Sequence, residues 1–192
     1  MALRPRLLVA SLGVAVVVSI VGGYLVSRSG DDGGDDDIEL DASVDQQDAS
    51  IGTNAAVEGI ALPVVDLETN DGTIVSTADL LGQPLIVNVW FSTCGPCKKE
   101  LPEFAAVQTD LGDRIRFVGV NPFDTPETNA SFAAERGVAY ELLRDPTSAF
   151  VDTVGITAFP VTLFVAADGT IVRQTGVLDE ADLRTYAEEL LT

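Results

Sequence analysis

The run Leu85-Ile86-Val87-Asn88-Val89-Trp90-Phe91 is apolar, and largely β-branched, at almost every position. Such a run suits a strand buried on both faces, which requires helices packed above and below a sheet. Two residues further on the pattern becomes Cys94-Gly95-Pro96-Cys97, and a helix is predicted from Cys94 to Leu111 with Gly112 near its end. A buried strand that runs directly into a helix is the repeating unit of an α/β fold. Here that unit leaves two cysteines at the junction.

The flanking pattern alternates in the same way. Ile60–Leu67 and Thr73–Val75 read as a strand pair around the turn Thr69-Asn70-Asp71-Gly72. Ile115–Val120 is the next strand, Glu127–Arg136 a helix stopped by Gly137, and Thr147–Val154 a shorter helix. Val161–Ala166 and Ile171–Gln174 form a hairpin around Asp168-Gly169. Asp179 then caps a final amphipathic helix through Leu191, with Leu183, Tyr186 and Leu190 on one face. The expected architecture is a central mixed β-sheet flanked by helices, spanning residues 55–192, with no internal repeat.

The position of the cysteine pair explains its chemistry. The first turn of a helix has unsatisfied N–H groups and the positive end of the dipole, so an anion is stabilised there. Cys94 is therefore expected to be the easily ionised, more exposed thiol, with Cys97 one turn further in. Positions i and i+3 share a helix face, so the two sulfurs can close a disulfide. Pro96 falls in the first turn, where its missing N–H costs nothing. Thiolate attack, mixed disulfide and resolution by the second thiol is the chemistry two such sulfurs perform. An inert structural disulfide is the bland reading, but so short a loop removes only about 2 kcal/mol of unfolded-state entropy.

Composition narrows the alternatives. The chain of 192 residues has a formal charge of −19, from 30 acidic and 11 basic residues, which disfavours nucleic acid as a partner. It has no His and two Cys. Ser-His-Asp and Cys-His pairs are thereby excluded, and two thiolates alone cannot complete a zinc tetrahedron. No metal and no cofactor are expected beyond a redox-active Cys94–Cys97 disulfide.

The first 54 residues have a different character. Residues 1–6 read as a short cytoplasmic stub, and Leu7–Val26 is an uncharged run of 20 residues. As a helix it spans about 30 Å, the thickness of a bilayer core. Arg4 and Arg6 precede it and only Arg28 follows, so the remainder is expected on the outer side of the membrane. A cleaved signal is the weaker reading, because Ser27-Arg28-Ser29 is a poor cleavage site. Residues 27–54 are rich in Asp, Gly, Ser and Gln and read as an acidic tether; a calcium loop there would lack its Gly and terminal Glu.

The octapeptide from Trp90 to Cys97, its strand-to-helix setting and the later Phe159-Pro160-Val161 before a hairpin resemble the thioredoxin superfamily. Within it the chain is similar to the membrane-anchored TlpA/ResA-type thiol–disulfide proteins, which share an added N-terminal strand pair and a helical insertion between central strands. Cys94-Gly95-Pro96-Cys97-Lys98-Lys99-Glu100-Leu101-Pro102 is similar to their extended motif. The resemblance implies a thioredoxin-like fold behind one transmembrane helix. It also implies a carboxylate beside the cysteines at Glu100, a helix-kinking proline at Pro102, and a cis-proline at Pro160 shaping the substrate groove. Trp90, Thr93, Gly95, Pro96 and Phe159 complete the implied active-site surface. Asn88 stands where cytosolic thioredoxins carry a buried Asp, which moves proton transfer to Glu100 or water. Thr93 replaces a common aromatic, and Phe159 is bulkier than the residue usual before the cis-proline.

The expected activity is that of an extracytoplasmic protein thiol–disulfide oxidoreductase on the cell membrane, with Cys94 as nucleophile and Cys97 as resolving thiol. The resemblance implies reduction of partner disulfides, cytochrome c maturation as the task, a membrane thiol reductant and a monomeric state. A peroxiredoxin-type peroxidase shares the fold but needs an activating Arg and a different cysteine loop. A surface-tethered binding module with a structural disulfide is the non-enzymatic alternative. Lys98 and Lys99 read as a solvated helix face.

Overall fold

The structure is a computed structural model and describes residues 54–192. The stub, the apolar run Leu7–Val26 and all of the tether before Asn54 lie outside the described residues. Among those described, no helix is long and apolar enough to cross a membrane.

A hairpin of β1 (Asp66–Thr69) and β2 (Ile74–Ser76) opens the domain, with Leu67 opposite Val75. Its tight turn closes through Gly72 at φ 86° and a bond from Thr73 N to the Asp71 carboxylate. The expected long strand from Ile60 is not formed. Pro63 lacks the N–H that a continuing ladder needs, so residues 59–62 run instead beside the far hairpin, Ile171 N donating to Ile60 O at 2.9 Å.

Strand β3 (Leu85–Val89) is buried at every position, as its sequence requires. It leads through residues 90–96 into α1 (Cys97–Leu111). The helix starts at Cys97 rather than Cys94; Pro96 has helical angles but stands at the N-cap position, ahead of the first turn. Then come β4 (Arg116–Asn121), α2 (Pro126–Ala134), β5 (Glu141–Arg144) and α3 (Ala149–Val154). Thr125 caps α2, accepting from Thr128 N, and Pro126 occupies its first turn, where no N–H is missed. Strand β5 has no counterpart in the sequence reading. The hairpin of β6 (Val161–Val165) and β7 (Ile171–Thr175) and the helix α4 (Glu180–Glu189) complete the chain. Asp179 caps α4 as expected, its carboxylate accepting from Asp182 N at 2.9 Å.

Among the described residues seven strands form one mixed sheet in the order β2-β1-β5-β4-β3-β6-β7. Strands β3, β4 and β5 are parallel, and β6 lies antiparallel beside β3 with Asn88 opposite Thr162. Side-chain alternation along β3 splits the core in two. Leu85, Val87 and Val89 pack with Phe150 and Val154 of α3 on one face. Ile86 and Trp90 pack with Leu101 and Phe104 of α1 and Leu183 of α4 on the other. The cysteines belong to this second layer. The architecture is the expected thioredoxin-like α/β fold with its added N-terminal strand pair.

Candidate active site

The end of β3 and the start of α1 bring Cys94 and Cys97 together as a disulfide with Cα atoms 5.3 Å apart. Cys97 N donates to Cys94 Sγ at 3.2 Å, so an orphan donor of the first helical turn points at this sulfur. A thiolate on Cys94 would meet that donor and the positive end of α1. Cys94 is only 6% exposed and Cys97 fully covered. The expected asymmetry has the right order, but Cys94 is a nearly covered sulfur rather than an open one. Thr93, Gly95 and Pro96 are exposed around it.

The peptide bond between Phe159 and Pro160 is cis, and Val161 follows as the first residue of β6, paired with Val89. Phe159 is only partly buried, its ring edge-on to Phe91 at 5.2 Å and to Phe123 at 5.6 Å. Trp90 is wholly buried and stacks on Phe132 of α2 with centroids 5.6 Å apart. Trp90 is therefore a core residue, whereas Phe159 is a partly buried ring in a cluster with Phe91 and Phe123. Lys98 and Lys99 are exposed, as a solvated helix face requires.

Glu100 is 1% exposed, facing the sheet from α1. Asn88 Nδ2 donates to its Oε1 at 2.9 Å and Leu178 N to its Oε2 at 3.4 Å. Asn88 also donates to Thr162 Oγ1 at 3.2 Å, which joins β3, β6 and α1 in one buried polar group. Burial pushes the Glu100 carboxyl up to about 8, against the smaller opposing effects of Asn88 and Leu178. Two hydrogen bonds, one of them long, do not replace the water lost around a carboxylate. With the disulfide closed, Glu100 thus holds its proton at neutral pH.

Sequence reasoning passed over the support of the loop before Cys94. Ser92 donates to Asp124 twice, from N and from Oγ, each at 2.6 Å, and Asn121 Nδ2 donates to the same carboxylate at 2.7 Å. Asn121 Oδ1 in turn accepts from the N–H groups of Phe123 and Asp124. This latch ties residues 91–93 to the end of β4 and holds Phe123, 58% exposed, against Phe91 at 5.1 Å. Nothing local in Asn121-Pro122-Phe123-Asp124 signals it, because the partner lies about thirty residues away. A cavity of about 260 Å³ between α4 and the β6–β7 hairpin includes neither cysteine. Among the described residues no cluster of acidic side chains and cysteines could hold a metal ion.

The model of the AhpC/TSA family matches residues 59–174. Thiol:disulfide interchange protein HelX of Rhodobacter capsulatus is 33% identical over 135 residues, 69% of this chain and 69% of that protein. Thiol-disulfide oxidoreductase ResA of Bacillus subtilis is 26% identical over 137 residues, covering 70% and 76% respectively. Among solved structures, a thiol:disulfide interchange protein DsbE from Chlorobium tepidum superposes with TM-score 0.64 at 21% identity, over 72% of this chain and 100% of that one. Mycobacterial dsbF gives TM-score 0.61 at 24% identity, over 66% and 94%. These two share the fold.

Proposed function

The chain belongs to the AhpC/TSA family and is a thiol–disulfide oxidoreductase of the ResA/DsbE type, and from that premise we propose that it reduces disulfides of partner proteins outside the cytoplasm, held to the membrane by Leu7–Val26. The observation that carries the reading is the bond from Cys97 N to Cys94 Sγ at the start of α1. It supports Cys94 as the sulfur that carries negative charge and Cys97 as the one that resolves.

In the reduced enzyme the Cys94 thiolate attacks one sulfur of a substrate disulfide. A mixed disulfide forms and the other substrate sulfur leaves as a thiolate, which takes up a proton. Cys97 then loses its proton, attacks Cys94 Sγ and releases the second substrate thiol, closing the Cys94–Cys97 bond. Two electrons pass from the pair to the substrate. The fraction of Glu100 that is ionised, one turn beyond Cys97, receives the Cys97 proton. Its raised carboxyl, at about 8, lies close to an ordinary thiol near 8.5, so the transfer is nearly balanced. Pro160 and Phe159 line the groove where the substrate chain lies, with Thr93, Gly95 and Pro96 opposite.

The Gly-Pro pair between the sulfurs favours the reducing direction, since thioredoxin works at roughly −270 mV. The TlpA/ResA resemblance supports an apocytochrome c dithiol as the product and a membrane thiol carrier as the reductant. The test is reduction of insulin disulfides by the dithiothreitol-reduced full-length protein. Wild type is expected to be active, Cys94→Ala inactive, and Cys97→Ala to accumulate mixed disulfides. An intact fold with no insulin reduction would leave a structural disulfide as the reading. Retention of the protein in the membrane fraction, with the domain open to external protease, checks the location.

A further inference from the structure

Three phenylalanines meet one tight turn before Cys94, and the outermost is held in solvent. Cys94 N donates to Phe91 O at 3.1 Å, and a turn closed in this way keeps its end Cα atoms within about 7 Å. The Phe91 ring lies edge-on to Phe123 at 5.1 Å and to Phe159 at 5.2 Å, and those two meet each other at 5.6 Å. Phe91 and Phe159 also pack against the core layer that contains both cysteines. Phe123 belongs to neither core layer among the described residues and is 58% exposed. The other exposed large apolar residues described, Ile60, Val64, Ile74 and Val172, are aliphatic.

Neither the core nor the turn accounts for a ring at position 123. The turn uses the N–H groups of Phe123 and Asp124, both donated to Asn121 Oδ1, and the Asp124 carboxylate that accepts from Ser92. Any residue but proline supplies the N–H. A ring left largely in water recovers little hydrophobic free energy, yet this one is fixed by the latch and by two aromatic neighbours. Contiguous apolar surface of this kind marks a contact site. The exposed residues around Cys94, Thr93, Gly95 and Pro96, carry no charge, although the chain as a whole stands at −19. The occupant follows from the chemistry of the pair. In the mixed disulfide a substrate sulfur stands about 2 Å from Cys94 Sγ. Residues flanking the substrate cysteine, spaced about 3.3–3.6 Å apart in an extended chain, then lie over the turn that carries Phe91.

We propose that Phe123 is a specificity-determining residue, its ring joining Phe91 and Phe159 to receive an apolar side chain within about three residues of the substrate's reactive cysteine. This rests on the reading of the chain as a reductase of partner disulfides. The latch fixes the ring before the substrate arrives, so little ordering of the loop remains to oppose binding.

The experiment uses full-length protein reduced with dithiothreitol and then freed of it. Two peptides differ only in carrying Leu or Ser two residues from a single cysteine, which bears 5-thio-2-nitrobenzoate as a mixed disulfide. Cys94 attacks the peptide sulfur and the coloured aromatic thiolate leaves, reporting the rate. Cys97 then attacks Cys94 Sγ and releases the peptide thiol, so the enzyme dithiol is oxidised as the peptide disulfide is reduced. Each rate is divided by that of the same peptide with free dithiothreitol. Wild type is expected to favour the Leu peptide about five- to tenfold, as half-covering such a side chain supplies. Phe123→Ala should bring the ratio to about twofold or less, while Phe123→Leu, still apolar, should keep most of it.

An unchanged ratio in Phe123→Ala, or no preference in wild type, overturns the role of Phe123, and insulin reduction by wild type then leaves the reductase reading standing. A wild type that reduces neither peptide nor insulin overturns both. Iodoacetamide labelling of Cys94 in the reduced proteins separates contact from support. Equal rates in wild type and Phe123→Ala are expected, and unequal rates would mean that the ring supports the site instead of the substrate. A dimer seen by sedimentation and lost in Phe123→Ala would assign the rings to a second copy of the chain and overturn the role.

Discussion

Replacing Glu100 by Gln should reverse its effect on stability between pH 5 and pH 8.5. In the folded protein the carboxyl titrates near 8, against an ordinary 4.5. Between these values the folded state keeps a proton that the unfolded chain releases, so stability falls as pH rises through the window. The full displacement is worth about 5 kcal/mol, reached above pH 8, and about 3 kcal/mol of it is already lost at pH 7. Below pH 4.5 nothing is lost, because both states are protonated.

Glutamine keeps the Oε1 that accepts from Asn88 but turns an NH₂ toward Leu178 N, giving up the 3.4 Å bond. That exchange costs about 1 kcal/mol at every pH. The variant should therefore be slightly less stable than wild type near pH 5 and more stable by roughly 3.5 kcal/mol at pH 8.5. Urea unfolding of the oxidised proteins at several pH values, read by the fluorescence of the single Trp, measures the difference. Asp145, whose carboxyl is also raised by burial, titrates identically in both proteins and cancels. Two profiles separated by a constant offset would refute the reasoning, because they would mean that Glu100 takes up no proton on folding.

Gly119→Ala should destabilise the fold by about 1–3 kcal/mol, since its methyl would meet Trp90 Nε1 at 2.8 Å and Leu142 Cδ2 at 3.1 Å; a shifted Trp90 emission would accompany the lowered urea midpoint. Asp124→Ala removes the acceptor for Ser92 N, Ser92 Oγ and Asn121 Nδ2. Stability should fall by roughly 1–3 kcal/mol, and the alkylation rate of Cys94 in the reduced protein should change while that of Cys94 in a Lys98→Ala control stays at the wild-type value.

Features that depend on a few adjacent residues were legible in the sequence. The β-branched run gave away β3, Asp168-Gly169 the second hairpin, Asp179 the start of α4 and the cysteine spacing the disulfide. Strand β5 was hidden because Glu141 and Arg144 make a four-residue segment look like a surface loop. Each charge is matched from a different strand: Arg116 of β4 lies 2.7 Å from Glu141, and Glu68 of β1 lies 2.6 Å from Arg144. Partners 25 and 76 residues away leave no local trace. The Ser92–Asp124 latch escaped for the same reason.

The burial of Glu100 lies between these cases. Its neighbours Lys98 and Lys99 suggest a solvated face, yet the covered positions of α1 are Cys97, Leu101, Phe104, Val107 and Leu111. Glu100 stands three residues after Cys97, four before Phe104 and seven before Val107, which is the spacing of the covered stripe. A charge on an apolar stripe is tolerated only with a polar partner facing it. The strand opposite carries one such residue, Asn88, in a run that is otherwise apolar, and β6 carries Thr162 directly across from it. Each is an interruption when its own element is considered alone. Taken together they are complementary, a carboxyl acceptor, an amide donor and a hydroxyl, and the fold joins them beneath the cysteines. Polar interruptions in two separate apolar patterns thus carry long-range information, because burial obliges each to find the other.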